Sequence, residues 1–189
     1  MMRMAFVLAA ALTCAAFPAL AEEEHRQLGA HMHGHGRLNI AIEGKKLSME
    51  LEVPGADIAG FEHEPNTPEQ RAAIAEARAK LANALALFVP APKAGCELEH
   101  VKVTAGGHED HADEAAKDAA KEEGEHHSEF RGEYSLQCRS PSRLDSINFE
   151  YFNVFSGARE LAVSVIGPKG QSSFDVKRGN PVLSLAGIM

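Results

Sequence analysis

Apolar and polar positions alternate strictly in two adjacent stretches of the chain. Leu38, Ile40 and Ile42 alternate with Asn39, Ala41 and Glu43. After the turn Glu43-Gly44-Lys45-Lys46, the residues Leu47, Met49, Leu51 and Val53 alternate with Ser48, Glu50 and Glu52. Two period-two runs around a glycine-containing turn predict a hairpin with one buried face, ended by Pro54-Gly55. Beyond a loop from Phe61 to Thr67 the period changes. Thr67 is a natural N-cap, Pro68 suits the first helical position and Gln70 completes a capping box. Ile74, Leu81, Leu85 and Phe88 then place one apolar stripe on a helix of about six turns, which Pro90 and Pro92 stop.

Strands are predicted again over Cys96 to Thr104 and Phe130 to Cys138. Ser140-Pro141 opens a second helix, running to about Phe155, with Leu144, Ile147, Tyr151 and Phe155 on one face. Leu161 to Ile166 and Ser173 to Val176 flank Gly167-Pro168-Lys169-Gly170 as another hairpin, and Val182 to Leu185 forms a last short strand. The order is ββα-ββα-ββ, with hairpins instead of single strands between helices. It predicts an α+β fold, a mainly antiparallel sheet built from hairpins with two helices.

Composition changes this picture in two places. Ala105 to Glu129 holds nine acidic residues, two lysines and four histidines, and no large apolar side chain. Such a stretch cannot bury enough surface to fold alone, so it is expected to be a disordered, mobile His/Asp/Glu-rich insertion between two strands. The other exception is the beginning. A basic start with Arg3, an apolar run from Ala5 to Phe17, then Pro18 and Ala19-Leu20-Ala21 have the layout of a secretory signal peptide cut after Ala21. The run is too short to span a membrane, and Cys14 is discarded with it.

Cleavage leaves residues 22–189 as a single domain carrying the insertion. Without Arg3 there are 18 basic against 27 acidic residues. That balance argues against nucleic acid and anionic membranes as partners, and it concentrates cations locally. No later apolar run is long enough for stable membrane insertion. In an oxidising compartment the remaining Cys96 and Cys138 are expected to form a disulfide that ties the base of the insertion, a Cys/Cys metal site being the competing reading.

All ten histidines lie in the mature part. His31, His33 and His35 occur in Gly29-Ala30-His31-Met32-His33-Gly34-His35-Gly36. If this stretch is extended, alternate side chains share a face and three imidazoles converge on one ion. Zinc takes neutral imidazole nitrogens, and three protein ligands with a fourth group make a tetrahedral shell. A solvated tract without function is the rival reading. His63, in Phe61-Glu62-His63-Glu64-Pro65, either completes a shell with its carboxylate neighbours or only packs at the helix entrance.

His108, His111, His126 and His127 stand among carboxylates in the insertion, a mixed set that suits Zn2+ but selects it weakly. His100 sits inside a strand pattern, where a lone histidine is commonly structural. His25 becomes the fourth residue after cleavage, not the third that an amino-terminal copper or nickel site requires. His-Glu-x-x-His, Gly-x-Ser-x-Gly and phosphate-binding glycine loops are all missing, so the sequence reads as a binding protein and not an enzyme.

The leader, the His31-Met32-His33-Gly34-His35-Gly36 stretch, the hairpin, Phe61-Glu62-His63-Glu64-Pro65, the histidine-acid insertion and the late Gly170-Gln171 hairpin together resemble the ZrgA-like periplasmic zinc-uptake proteins. The resemblance implies a periplasmic zinc-binding protein that supports an ABC-type importer. It implies that His31, His33, His35 and His63 match the family's N-terminal histidine pattern, and that the insertion matches its variable histidine-rich segment. Two alternatives stand beside it: a periplasmic buffer or resistance protein for copper or nickel, and a structural or interaction module whose histidines are incidental.

Overall fold

The computed structural model of the chain describes residues 33–106 and 128–189. The expected leader, His25 and His31, and the insertion histidines His108, His111, His126 and His127 lie outside the described residues. Strands β1 (His35–Glu43) and β2 (Lys46–Pro54) form the predicted hairpin, with Leu38 opposite Leu51 and Ile40 opposite Met49. A single turn α1 (Gly55–Ile58) follows, then helix α2 (Pro68–Ala82), the turn α3 (Ala84–Leu87) and the short strand β3 (Phe88–Pro90). Strands β4 (Cys96–Ala105) and β5 (Glu129–Cys138) flank the insertion. Strand β6 (Ser146–Phe149) and the turn α4 (Tyr151–Val154) lead to the hairpin β7 (Glu160–Gly167) and β8 (Gly170–Lys177), and β9 (Val182–Ser184) comes last.

The fold is α+β with mostly antiparallel sheet. Six strands run in the order β4-β5-β2-β1-β7-β8, antiparallel except where β1 lies parallel to β7, and a second sheet has the order β3-β6-β9. The alternation read from the chain decides which face is inside. Leu38, Ile40 and Ile42 of β1 and Leu47, Met49, Leu51 and Val53 of β2 are buried, and Asn39 and Glu50 are exposed. Phe88, Phe149, Tyr151 and Phe152 fill the core in edge-to-face and stacked pairs with ring centroids 5.4–6.4 Å apart. Among the described residues no helix is long and apolar enough to cross a membrane.

Three local expectations are corrected. The first helix carries its capping box, with the Thr67 hydroxyl accepting from the Gln70 amide, but it ends at Ala82. Asn83 leaves helical geometry (φ −88°, ψ 65°), so Leu85 belongs to a separate turn and Phe88 begins a strand. The second helix is replaced by a 3-10 turn at Pro141–Arg143, strand β6 and one helical turn. Leu144, Ile147, Phe149, Tyr151, Phe152 and Phe155 are all buried, so apolar spacing fits either period. Pairing partners on both sides, β3 and β9, decide for strand.

Cys96 and Cys138 are bonded, as expected, but they face each other at the end of the β4–β5 hairpin opposite the insertion. Two ten-residue strands, paired from end to end apart from one irregularity between Leu98 and His100, separate the two ends. The base of the insertion is held by backbone instead. The Gly106 amide donates to the Glu129 carbonyl (3.0 Å), the Ser128 amide to the Glu62 carbonyl (2.7 Å), and the Gly55 amide to the Ser128 carbonyl (2.7 Å).

Candidate metal centre

The site is built around one glycine. Gly34 has φ +88°, a left-handed conformation that side chains resist. A Cβ added there would also lie 2.9 Å from Arg159 Cδ. Its amide is shared between both carboxylate oxygens of Asp57, at 2.7 and 2.9 Å, and its carbonyl accepts the amides of Arg159 (2.8 Å) and Glu160 (2.9 Å). Asp57 comes from α1, the turn that follows the hairpin's end; Arg159 immediately precedes β7 and Glu160 opens it. Three segments distant in sequence therefore meet at the peptide that joins His33 to His35.

This turn corrects the expectation of an extended stretch with alternate side chains on one face. His33 precedes the left-handed residue and His35 begins β1, so period two does not carry across Gly34. Each imidazole meets a carboxylate from a different element. His33 Nε2 lies 3.2 Å from Glu62 Oε1, and His35 Nδ1 lies 3.9 Å from Glu160 Oε1, an ion-pair distance. Glu160 also pairs with Lys177 at 3.1 Å. The His33 ring is 70% exposed and thus open to a solvated ion, whereas Glu62 is mostly covered.

Among the described residues Asp57 is the buried charged side chain, 6% exposed. Burial pushes its carboxyl above the ordinary value, and the Gly34 amide offsets only part of that rise. Smaller contributions come from His33 and His35, which favour the charge, and from Glu62, which opposes it. Asp57 is thus within electrostatic reach of both histidines and of one of their carboxylates.

Two strands from β1 in the sheet, a second acidic pair stands at the root of the insertion. Glu129 is pushed up to about 7, first by burial and then by its hydrogen bond to Glu52. The same bond, ahead of the Arg37 guanidinium 2.8 Å away, holds Glu52 below its ordinary value. Arg131 lies 3.4 Å from Glu129.

The remaining histidines that the structure describes have other surroundings. His63 stacks on Phe61 with centroids 5.0 Å apart, its Nδ1 lies 2.9 Å from the Glu64 carbonyl oxygen, and its Nε2 is 3.4 Å from the Gln70 side-chain amide. It belongs to the entrance of α2. His100 is exposed on the edge strand β4, beside an irregularity between Leu98 and His100, opposite Ser135.

Among the described residues no group of three or more His, Cys, Asp or Glu is arranged to hold a metal ion. The described part offers two imidazole–carboxylate pairs, each short of the four donors that zinc prefers. Asp57 and Glu160 escaped the sequence reading. A carboxylate set among Gly55, Ala56 and Ile58 is an odd neighbour for small apolar residues, and that context was the available signal. Nothing local marks Glu160.

Residues 30–185 match a family model described as ZrgA family zinc uptake protein. No curated protein matches the chain.

Proposed function

The chain belongs to the ZrgA family of zinc uptake proteins, and from that premise we propose that it captures Zn2+ in the periplasm and supports an ABC-type zinc importer. In this reading zinc is cargo, and the protein is a carrier without catalytic activity, exported by a leader removed after Ala21. His33 and His35, joined by His31, begin the tighter site, and the carboxylates of Glu62 and Glu160 stand beside them as further oxygen donors or as partners that orient the rings. His108, His111, His126 and His127 gather ions and pass them on, and His63 serves at the margin between the two groups.

One observation carries this division. The returning end of the insertion is bonded through Ser128 to the backbone of Glu62, whose carboxylate is the partner of His33. That connection supports delivery to the structured pair of an ion collected by the insertion. Ordering a long polar segment around an ion costs conformational entropy, so sites within it are expected to be weaker and faster to exchange.

Calorimetric titration of the mature protein with zinc at neutral pH tests the reading. At least one tight site is expected. Replacing His108, His111, His126 and His127 together by alanine lowers the stoichiometry and spares that site. Absence of any zinc heat refutes capture, and loss of the tight site in the fourfold variant refutes the division of labour.

A further inference from the structure

Asp57 lies outside every histidine motif, yet its carboxylate grips the amide of Gly34, the residue between His33 and His35. Both oxygens accept the Gly34 N–H, at 2.7 and 2.9 Å, from a position almost wholly shielded from solvent. Burying a carboxylate costs free energy unless its charge is used by a partner. Here a single backbone amide takes both oxygens, a strong interaction for a negative acceptor. The Asp57 backbone is held as well. Gly157 packs so closely on the Asp57 backbone that an added Cβ would lie 2.7 Å from the Asp57 Cα and carbonyl oxygen. The same segment continues into Arg159 and Glu160, whose amides clamp the Gly34 carbonyl. Both backbone polar groups of Gly34, its N–H and its carbonyl, are therefore fixed, in a conformation that only glycine adopts without strain.

We infer that Asp57 is the positioning residue of the zinc site: by fixing the Gly34 N–H it sets the angle between the His33 and His35 side chains, and it adds a buried carboxylate close to both of them. This rests on the reading of His33 and His35 as ligands. Partners that orient metal-binding histidines commonly act on the ring nitrogen; Asp57 acts on the backbone between two rings. Its removal is expected to weaken zinc by about 10- to 100-fold, the range seen when orienting partners are lost.

The test compares four full-length variants with wild type. Zinc affinity is measured by chelator competition, and Co2+ in place of zinc gives a visible spectrum that reports ligand geometry. Asp57→Asn keeps an acceptor for the Gly34 amide but removes the charge, and Asp57→Ala removes both. His33→Ala/His35→Ala gives the loss of the site itself. Cys96→Ser/Cys138→Ser lowers stability at the distant end of the sheet and should leave affinity and spectrum alone.

The expected order of affinity is wild type, then Asp57→Asn, then Asp57→Ala, with a changed cobalt spectrum in the last. If Asp57→Ala does not fold, Asp57→Asn decides by its affinity against wild type. A folded Asp57 variant with wild-type affinity and spectrum overturns the inference while the histidine reading stands. Unchanged affinity in His33→Ala/His35→Ala overturns both.

Discussion

Glu129→Gln should stabilise the protein at pH 8 relative to its effect at pH 5. In the folded chain Glu129 keeps its proton up to about 7, against an ordinary value of 4.5, because burial and the adjacent Glu52 carboxylate oppose a second charge. In the unfolded chain it ionises near the ordinary value. Between those two pH values the folded state binds the extra proton, so stability from this group is fully present below about 4.5 and is lost as pH rises through about 7. At 1.36 kcal/mol per pH unit the loss has a ceiling of about 3.4 kcal/mol. Solvent reaching the pair, and the screening it brings, reduce the expected loss to about 1–2 kcal/mol.

Glutamine has nearly the same shape, donates an N–H to the Glu52 carboxylate and never ionises. Urea denaturation of both proteins in chelator-containing buffer at pH 5, 6, 7 and 8 should give a difference, variant minus wild type, that climbs by about 1–2 kcal/mol and levels above pH 7. Other titrating groups are common to both proteins and largely cancel. A difference flat within 0.3 kcal/mol, or one that falls with pH, refutes the shared proton.

Two further outcomes follow from the scaffold. Cys96→Ser/Cys138→Ser opens a loop closed across a separation of 42 residues, and chain entropy puts the loss near 4 kcal/mol by urea denaturation; zinc stoichiometry should not change, and its loss in the folded variant would mean that the far end of the sheet supports the site. Arg178 donates to the carbonyls of Phe152, Phe155, Ser156 and Ala158 and lies over the Phe152 ring. Arg178→Ala should cost about 2–4 kcal/mol, since several part-buried acceptors lose a charged donor. A loss below 0.5 kcal/mol would show that water replaces the guanidinium without penalty.

Half-buried strands are legible from a sequence because each residue's exposure is decided by its own sheet face. Leu38 to Val53 illustrates this: one face meets the core and the other meets solvent, so the period appears in the residue types themselves. Residues 144–155 fail the same reading because the spacing of their buried apolar side chains fits a helix as well as a strand. With Ile147, Phe149, Tyr151, Phe152 and Phe155 all inside, only the neighbours β3 and β9 distinguish strand from helix, and one of those neighbours was hidden behind Asn83. The α1 turn was hidden for a related reason. At four residues it has too little length for a period to show.

The histidines were legible by type and not by aim. Imidazoles at positions 33 and 35 mark an affinity for borderline cations wherever they point. Their direction depends on Gly34, whose sign of φ is set by Asp57, 23 residues away, and by Arg159 and Glu160 in the far half of the chain. Spacing two apart therefore overstated how alike the two side chains are. One ring turns to Glu62 and the other to Glu160, carboxylates on separate segments.

Under the proposed carrier role, in which zinc must also be released, this separation would have a use. A preformed shell of four convergent donors binds tightly and lets go slowly, whereas two fixed imidazoles that recruit remaining donors from a neighbouring segment pay an ordering cost on each capture. That cost weakens the complex chiefly by speeding dissociation. Ser128, bonded to the backbone of Glu62, is where such a segment joins the fixed part of the site. Lengthening the chain at that junction should therefore raise the zinc off-rate more than it lowers the on-rate.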